Sequence, residues 1–188
     1  MIDEIIQRTT VPPVKMTGPG PSQTDLRRML AAAAAAPDHG KLVPWRYLII
    51  SGEGRSSLGD LFARGVIDAR PDASPAEIEK QRSTPTRAPL VLIAIARVIE
   101  NHPKIPAIEQ IAAASASIEN LLLAAHSLGY AAKWATGANA YSPTVKAGLG
   151  LDADEHILGI LYVGTFAHPH LPPERPDIAS FTRTWPDT

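Results

Sequence analysis

The chain of 188 residues contains no cysteine. Disulfides, thiolate nucleophiles and zinc sites built on Cys are therefore excluded. It lacks an excess of charge of either sign: 18 Lys and Arg stand against 19 Asp and Glu, a formal net charge of -1. No basic field draws such a protein to nucleic acid or to anionic lipid, so neither is expected as a partner. No uninterrupted apolar run of about twenty residues occurs, because Glu119, Asn120 and His126 break the longest one, and a membrane span is excluded with it. The glycines of Gly52-Glu53-Gly54 lack both the third glycine of GxGxxG and a GK[ST] ending, so this is read as a plain turn and not a phosphate cradle. HExxH and GxSxG are missing too, which leaves no zincin helix and no serine nucleophile elbow. No period of 20 to 50 residues repeats. Met1-Ile2-Asp3-Glu4 has neither the basic nor the apolar region of a signal peptide, and a cytoplasmic protein is the expectation.

What is present is an ordinary globular composition, 45% apolar, with 18 prolines clustered at Pro12 to Pro21, Pro103 to Pro106 and Pro169 to Pro176. These clusters read as connectors. One domain over residues 1–188 is expected, with an extended carboxy-terminal arm from about 166. That arm carries Phe181 and Trp185 and too little else to form a core of its own.

The organising element is a long helix. Ile111, Ser115, Ile118, Leu122, Ala125 and Leu128 recur at the helical period, and Gly129 stands where a left-handed residue would end the run. The flanking faces are apolar as well, which predicts burial almost all round and a core role. Tyr47 to Ser51, Leu90 to Ala96, Tyr130 to Trp134 and Ile157 to Val163 read as strands; the aliphatic run of Leu90 to Ala96 has the character of a central strand. Helices are expected from Ile2 to Arg8, from a cap at Ser22 to Pro37, after Gly54, and from a capping box at Ser74 and Glu77. Four strands among helices, without strict alternation, predict an α+β fold with a mixed sheet sandwiched by helices.

The residues alone leave several readings open. Arg8-Thr9-Thr10 follows a short helix and serves either as a solvated end or as an anion site of guanidinium and hydroxyls. His39, after Pro37-Asp38, either hydrogen-bonds within its loop or faces a ligand. Trp45 opens a strand and reads as core. Trp134-Ala135-Thr136 is either an ordinary turn or a strand end that offers backbone donors to a flat ligand. His168-Pro169-His170 lacks a third ligand and reads as a loop, not a metal site.

The run NLLLAAHSLGYAAKWATG, with Ala36-Pro37-Asp38-His39, Pro44-Trp45, Arg87-Ala88-Pro89, Glu100-Asn101-His102 and Gly159 to Gly164, resembles the flavin-dependent nitroreductase family across nearly the whole chain. The APDH and ENH matches point to its short, single-domain subgroup. The resemblance implies a nitroreductase-like fold with the long helix at the interface of a homodimer and the flavin held between subunits. It implies FMN as cofactor, NAD(P)H as co-substrate and a small-molecule acceptor such as a nitroaromatic or quinone, reduced in a ping-pong cycle. Arg8, Thr9 and Thr10 then match the phosphate segment, His39 the loop bordering the ring, and Trp134, Ala135 and Thr136 the strand end against the ring. No side chain need act as a catalytic group, since the cofactor carries the hydride chemistry. Glu100-Asn101-His102 reads as a structural cap on the long helix. The chain departs from the subgroup where Thr9, Ala35 and Ala135 stand at positions aligned with basic residues; Lys15 is a partial substitute. That departure motivates an alternative, a dimer of the same fold that binds flavin or another ligand without turnover. A second is a purely structural dimer.

Overall fold

The structure, a computed structural model, describes residues 2–167 and 173–186. Its elements in order are α1 (Ile2–Gln7), α2 (Gln23–Ala34), β1 (Trp45–Ser51), α3 (Gly54–Ala69), α4 (Pro75–Arg82), β2 (Leu90–Arg97), α5 (Ala107–Ser127), β3 (Ala131–Ala135), α6 (Gly137–Tyr141), α7 (Pro143–Gly148) and β4 (Glu155–Gly164). The expected His168-Pro169-His170 loop lies outside the described residues.

The strands form one sheet in the order β1-β2-β4-β3. All three strand pairs run antiparallel. Among the described residues the parallel component of the expected mixed sheet is one isolated bridge, Thr10 to Ala132, on the outer edge of β3. Every residue of β2 except Arg97 is buried, as its aliphatic run predicts. Its side chains alternate between two cores. Val91, Ile93 and Ile95 pack with Leu58, Leu61 and Phe62 of α3, whereas Leu90, Leu92 and Ala94 pack with α2 and α5 through Met29, Ile118 and Leu121. The sheet is thus covered by helices on both faces, which is why its central strands carry no polar face.

Helix α5 ends in a Schellman motif. Gly129, at φ +83°, allows the Tyr130 N–H to donate to Ala125 O and the Gly129 N–H to His126 O. The chain turns directly into β3. The Tyr130 hydroxyl then donates to Asp25 Oδ2 at 2.9 Å, fastening the start of β3 to the first turn of α2. Both expected caps form: the Ser22 hydroxyl accepts from the Asp25 N–H, and Ser74 with Glu77 makes a complete capping box. His102 acts otherwise than expected. Its Nδ1 accepts from the Lys104 and Ile105 N–H groups, so it caps the turn before α5, and the helix itself, from Ala107, has Pro106 at its N-cap and no side-chain cap. The connector is held instead by the buried amide of Gln110, which bonds both main-chain groups of Ile99 and the carbonyl of Ile105.

Between β2 and β4 the register slips by one residue, so that Ala94 faces Gly159 and Ile95 faces Ile157. Leu158 is the extra residue of this bulge. No helix among the described residues is long and apolar enough to cross a membrane.

Candidate functional site

Strand β3 is an edge strand, and among the described residues the amino-terminal segment pairs with its outer side at Ala132. The Val11 N–H donates to Ala132 O, so the main-chain groups of Ala132 point outward. Alternation along the strand then points the N–H and C=O of Trp134 outward as well, and those of Lys133 and Ala135 toward β4. Beyond Ala132 no strand among the described residues lies beside this edge. A flat ligand laid against it would meet the Trp134 main chain and then Thr136. Thr136 precedes α6 without capping it, and its exposed hydroxyl has no hydrogen-bond partner among the described residues.

The side chain of Trp134 has a different job. Its indole Nε1–H donates to Leu158 O at 2.9 Å, the carbonyl that the bulge leaves outside the ladder, and the ring lies over Gly159. Ala135 packs its methyl on the α3 side of the sheet. Within the expected trio, the Trp134 backbone and Thr136 face the open edge, while the Trp134 and Ala135 side chains hold the strand in place.

The same bridge that pairs Thr10 with Ala132 lays Arg8-Thr9-Thr10 along β3. The hydroxyls of Thr9 and Thr10 make no hydrogen bond among the described residues. Arg8 donates from Nε to Glu119 Oε1 of α5 at 3.1 Å, and its two Nη groups have no partner there. Arg175, from the carboxy-terminal arm, donates to the carbonyls of Ile6 and Arg8 at the end of α1. Two guanidinium groups and two hydroxyls therefore gather at one end of the open edge. This donor set suits a terminal phosphate, and the outward Trp134 backbone suits the polar rim of a flavin ring. The residues present fit FMN in kind, with one carboxylate, Glu119, set against them.

His39 stands apart. Its Nδ1 lies 2.7 Å from Glu109 Oε2, in the first turn of α5. Glu109 and Glu119 are separated by about 15 Å along the helix axis at 1.5 Å per residue. No hydrogen bond joins His39 to the other expected site residues within one chain. The loop that carries it is conformationally demanding: Gly40, Lys41 and Val43 all have positive φ, and at +49° Val43 is an outlier for a β-branched residue. Asp38 Oδ2 accepts the Val43 N–H at 2.7 Å and pins the loop from the other end.

Glu119, Glu109 and Arg175 were not legible as site residues. Each acts through a partner distant in sequence, and the signal available was faint: charged residues on an otherwise apolar helix, and an arginine in an arm that must lie on something. Elsewhere, the buried Glu155 at the start of β4 takes two bonds from Arg46, at 2.7 and 2.6 Å. These hydrogen bonds hold its carboxyl below the usual glutamate range despite burial.

Residues 8–165 match the sequence profile of the Nitroreductase family. An Escherichia coli K12 protein named "Putative NAD(P)H nitroreductase YdjA" is 35% identical over 151 residues, 80% of this chain and 81% of that protein. A Bacillus subtilis 168 protein named "Putative NAD(P)H nitroreductase YfhC" is 30% identical over 155 residues, 82% of this chain and 76% of that one. Among solved structures, a nitroreductase-like family protein from Bacillus cereus superposes with a TM-score of 0.83 at 24% identity, covering 100% of this chain and 97% of the other. A Desulfovibrio desulfuricans protein titled a "putative nitroreductase in complex with fmn" superposes at 0.75 and 21% identity, again over 100% and 97%. At these identities the two structures establish a shared fold.

Proposed function

Since this chain belongs to the nitroreductase family of oxidoreductases, we propose that it is an FMN-dependent enzyme, acting as a cytoplasmic homodimer, that uses NAD(P)H to reduce nitroaromatics, quinones or related small acceptors. The observation that carries this reading is the Thr10–Ala132 bridge, which lays the phosphate-suited segment Arg8-Thr9-Thr10 along the same open edge that presents the Trp134 backbone and Thr136. FMN, when bound, supplies the hydride chemistry, taking two electrons from the nicotinamide and passing them to the acceptor. The chain's own residues bind and orient. Arg8, Thr9 and Thr10 hold the phosphate, and the Trp134 and Thr136 groups, with Ala135 between them, donate to and align the ring edge.

His39, bound to the far end of α5, serves the flavin of the partner subunit. An edge that no described strand covers beyond Ala132 agrees with a site completed by a second copy. One site then takes the two substrates in turn, which is the ping-pong cycle.

Titration of the purified protein with FMN and FAD tests the first half of this reading: FMN should bind at micromolar concentration or tighter and in preference to FAD, because no pyrophosphate loop is present. Anaerobic NAD(P)H should bleach the bound flavin and a quinone should restore its colour, with parallel reciprocal plots for the two substrates. Absence of FMN binding would remove the reading. Binding without bleaching would leave a flavin-binding dimer without turnover.

A further inference from the structure

We infer that Glu119 sets the flavin selectivity of this chain: by neutralising Arg8 it strips the site of most of its preference for a phosphorylated flavin, so that riboflavin binds nearly as well as FMN. The inference rests on the flavin reading above and adds to it a residue that opposes the cofactor's charge.

FMN and riboflavin share the ring and the ribityl chain and differ only in the terminal phosphate, which carries a charge of roughly -1.5 to -2 at neutral pH. Discrimination between them therefore depends on the cations at the end of the open edge. Arg8 is the cation placed there by both α1 and the Thr10–Ala132 bridge, and its side chain is only 23% exposed. Its nearest charged neighbour is Glu119, 3.1 Å away on α5. A carboxylate in direct contact with the guanidinium cancels much of the field that a phosphate would feel; the burial of Arg8 limits the screening of that cancellation by water, less so on the side of Glu119, whose side chain is 41% exposed. The neighbouring positions restore only part of the balance. Thr9, Ala35 and Ala135 are uncharged, and Arg175, the other cation of the donor set, turns its Nε and one Nη to the Ile6 and Arg8 carbonyls. Glu4 of α1, 3.6 Å from His126 Nε2, adds a further carboxylate to the same side of α5.

The geometry separates charge from orientation. A glutamine at 119 can still accept from Arg8 Nε through its amide oxygen, so Glu119→Gln removes the negative charge and keeps the guanidinium in place. The dissociation constants of FMN and of riboflavin are measured by fluorescence titration for the wild type, Glu119→Gln and the double variant Glu119→Gln/Arg8→Ala. In the wild type the two constants should lie within about tenfold of each other. Glu119→Gln should tighten FMN about tenfold, leave riboflavin within twofold, and steepen the dependence of FMN affinity on salt. The double variant should lose that gain, because the charge acts through Arg8.

A wild-type preference for FMN well above about tenfold would overturn the inference without any variant being needed. So would a Glu119→Gln protein in which the two flavins shift equally, or FMN weakens. Binding of neither flavin to the wild type would instead overturn the cofactor assignment itself, and this inference with it.

Discussion

The Trp134 indole donates to the carbonyl of Leu158 at 2.9 Å, and Leu158 is the residue that the β4 bulge leaves without a partner on β2. A defect in one strand pair thus supplies the acceptor that fixes the next strand, and Gly159 beside it leaves room for the ring. A Cβ at position 159 would collide with the indole, so Gly159→Ala should displace Trp134 and cost about 1 to 3 kcal/mol. Trp134→Phe should cost a similar amount by leaving the Leu158 carbonyl unpaired. Urea denaturation measures both. If the backbone of Trp134 lines the flavin edge, both variants should also weaken FMN binding, because the strand they loosen is the one that carries the donors.

The elements that were legible in the sequence are those whose cause is local. The apolar period of α5, the left-handed Gly129, the Ser74–Glu77 box and the aliphatic run of β2 each appear within a few residues of chain, and each is present. What was not legible depends on distant partners. The bulge at Leu158 arises from the pairing of two strands, and no turn residue or period announces it. Helices α6 and α7 are two short pieces, starting at Gly137 and Pro143, with too little apolar period to announce them. His102 looked like a cap for α5 because of its position, yet the connector folds so that its ring serves the turn before it. The segment Arg8-Thr9-Thr10 stands out through its resemblance to the family's phosphate segment, but the carboxylate of Glu119 lies on another element, where no spacing rule connects the two.

The pair of Glu155 and Arg46 should govern part of the acid stability. Hydrogen bonds from Arg46 lower the folded-state pKa of Glu155, so its contribution is fully present above the unfolded glutamate value of about 4.3 and is lost as pH falls through the lower folded value. Asp25, through its bond from Ser22, and Glu77, through the Ser74 backbone, are lowered too and act in the same direction. Glu155→Gln should cost about 2 to 4 kcal/mol at pH 7, the lower part of that range applying because Arg46 is one-third exposed. The deficit should narrow as pH is lowered below about 4.3. Denaturant curves from pH 3 to 7 on both proteins give the difference directly; a deficit that stays constant would show that packing, and not charge, is what the variant loses.

The loop from Asp38 to Pro44 holds Val43 in a conformation that suits glycine or asparagine. Val43→Gly should relieve about 1 kcal/mol of backbone strain, offset in part by the greater freedom of glycine in the unfolded chain, so a neutral or slightly raised stability is expected. Asp38→Ala should act the other way, because it removes the acceptor of the Val43 N–H. Thermal unfolding ranks the three proteins. If the strain is kept in order to hold His39 at a flavin, Val43→Gly should weaken FMN binding even though it does not destabilise the fold.

Association should be built into the stability of the protein. Ile108 on α5 is 70% exposed, and the same helix offers Ala112 and the half-buried Ala116 and Leu123 on neighbouring turns. The groove between α1, α2 and α5, of ≈ 660 Å³, is lined by Ile5, Ala32, Ala35, Leu123 and Ala124 together with Glu4, Asn120 and Ser127. In the arm, Ile178, Phe181 and Trp185 remain exposed, the last two at 66% and 80%, although Arg175 fastens the arm to α1. Small residues on a helix face allow a second backbone to approach closely, and the arm offers the large side chains that such a face lacks. An isologous dimer that uses both should bury more than about 2,000 Å² and couple folding to association. Its melting temperature should then rise with protein concentration, and sedimentation should show dimers throughout the micromolar range. A chain ending at Pro176 keeps Arg175 but loses Phe181 and Trp185, so it should form weaker dimers and retain flavin poorly. If it remains dimeric, binds FMN unchanged and melts at the same temperature, the arm makes no contribution and the interface must rest on α5 alone.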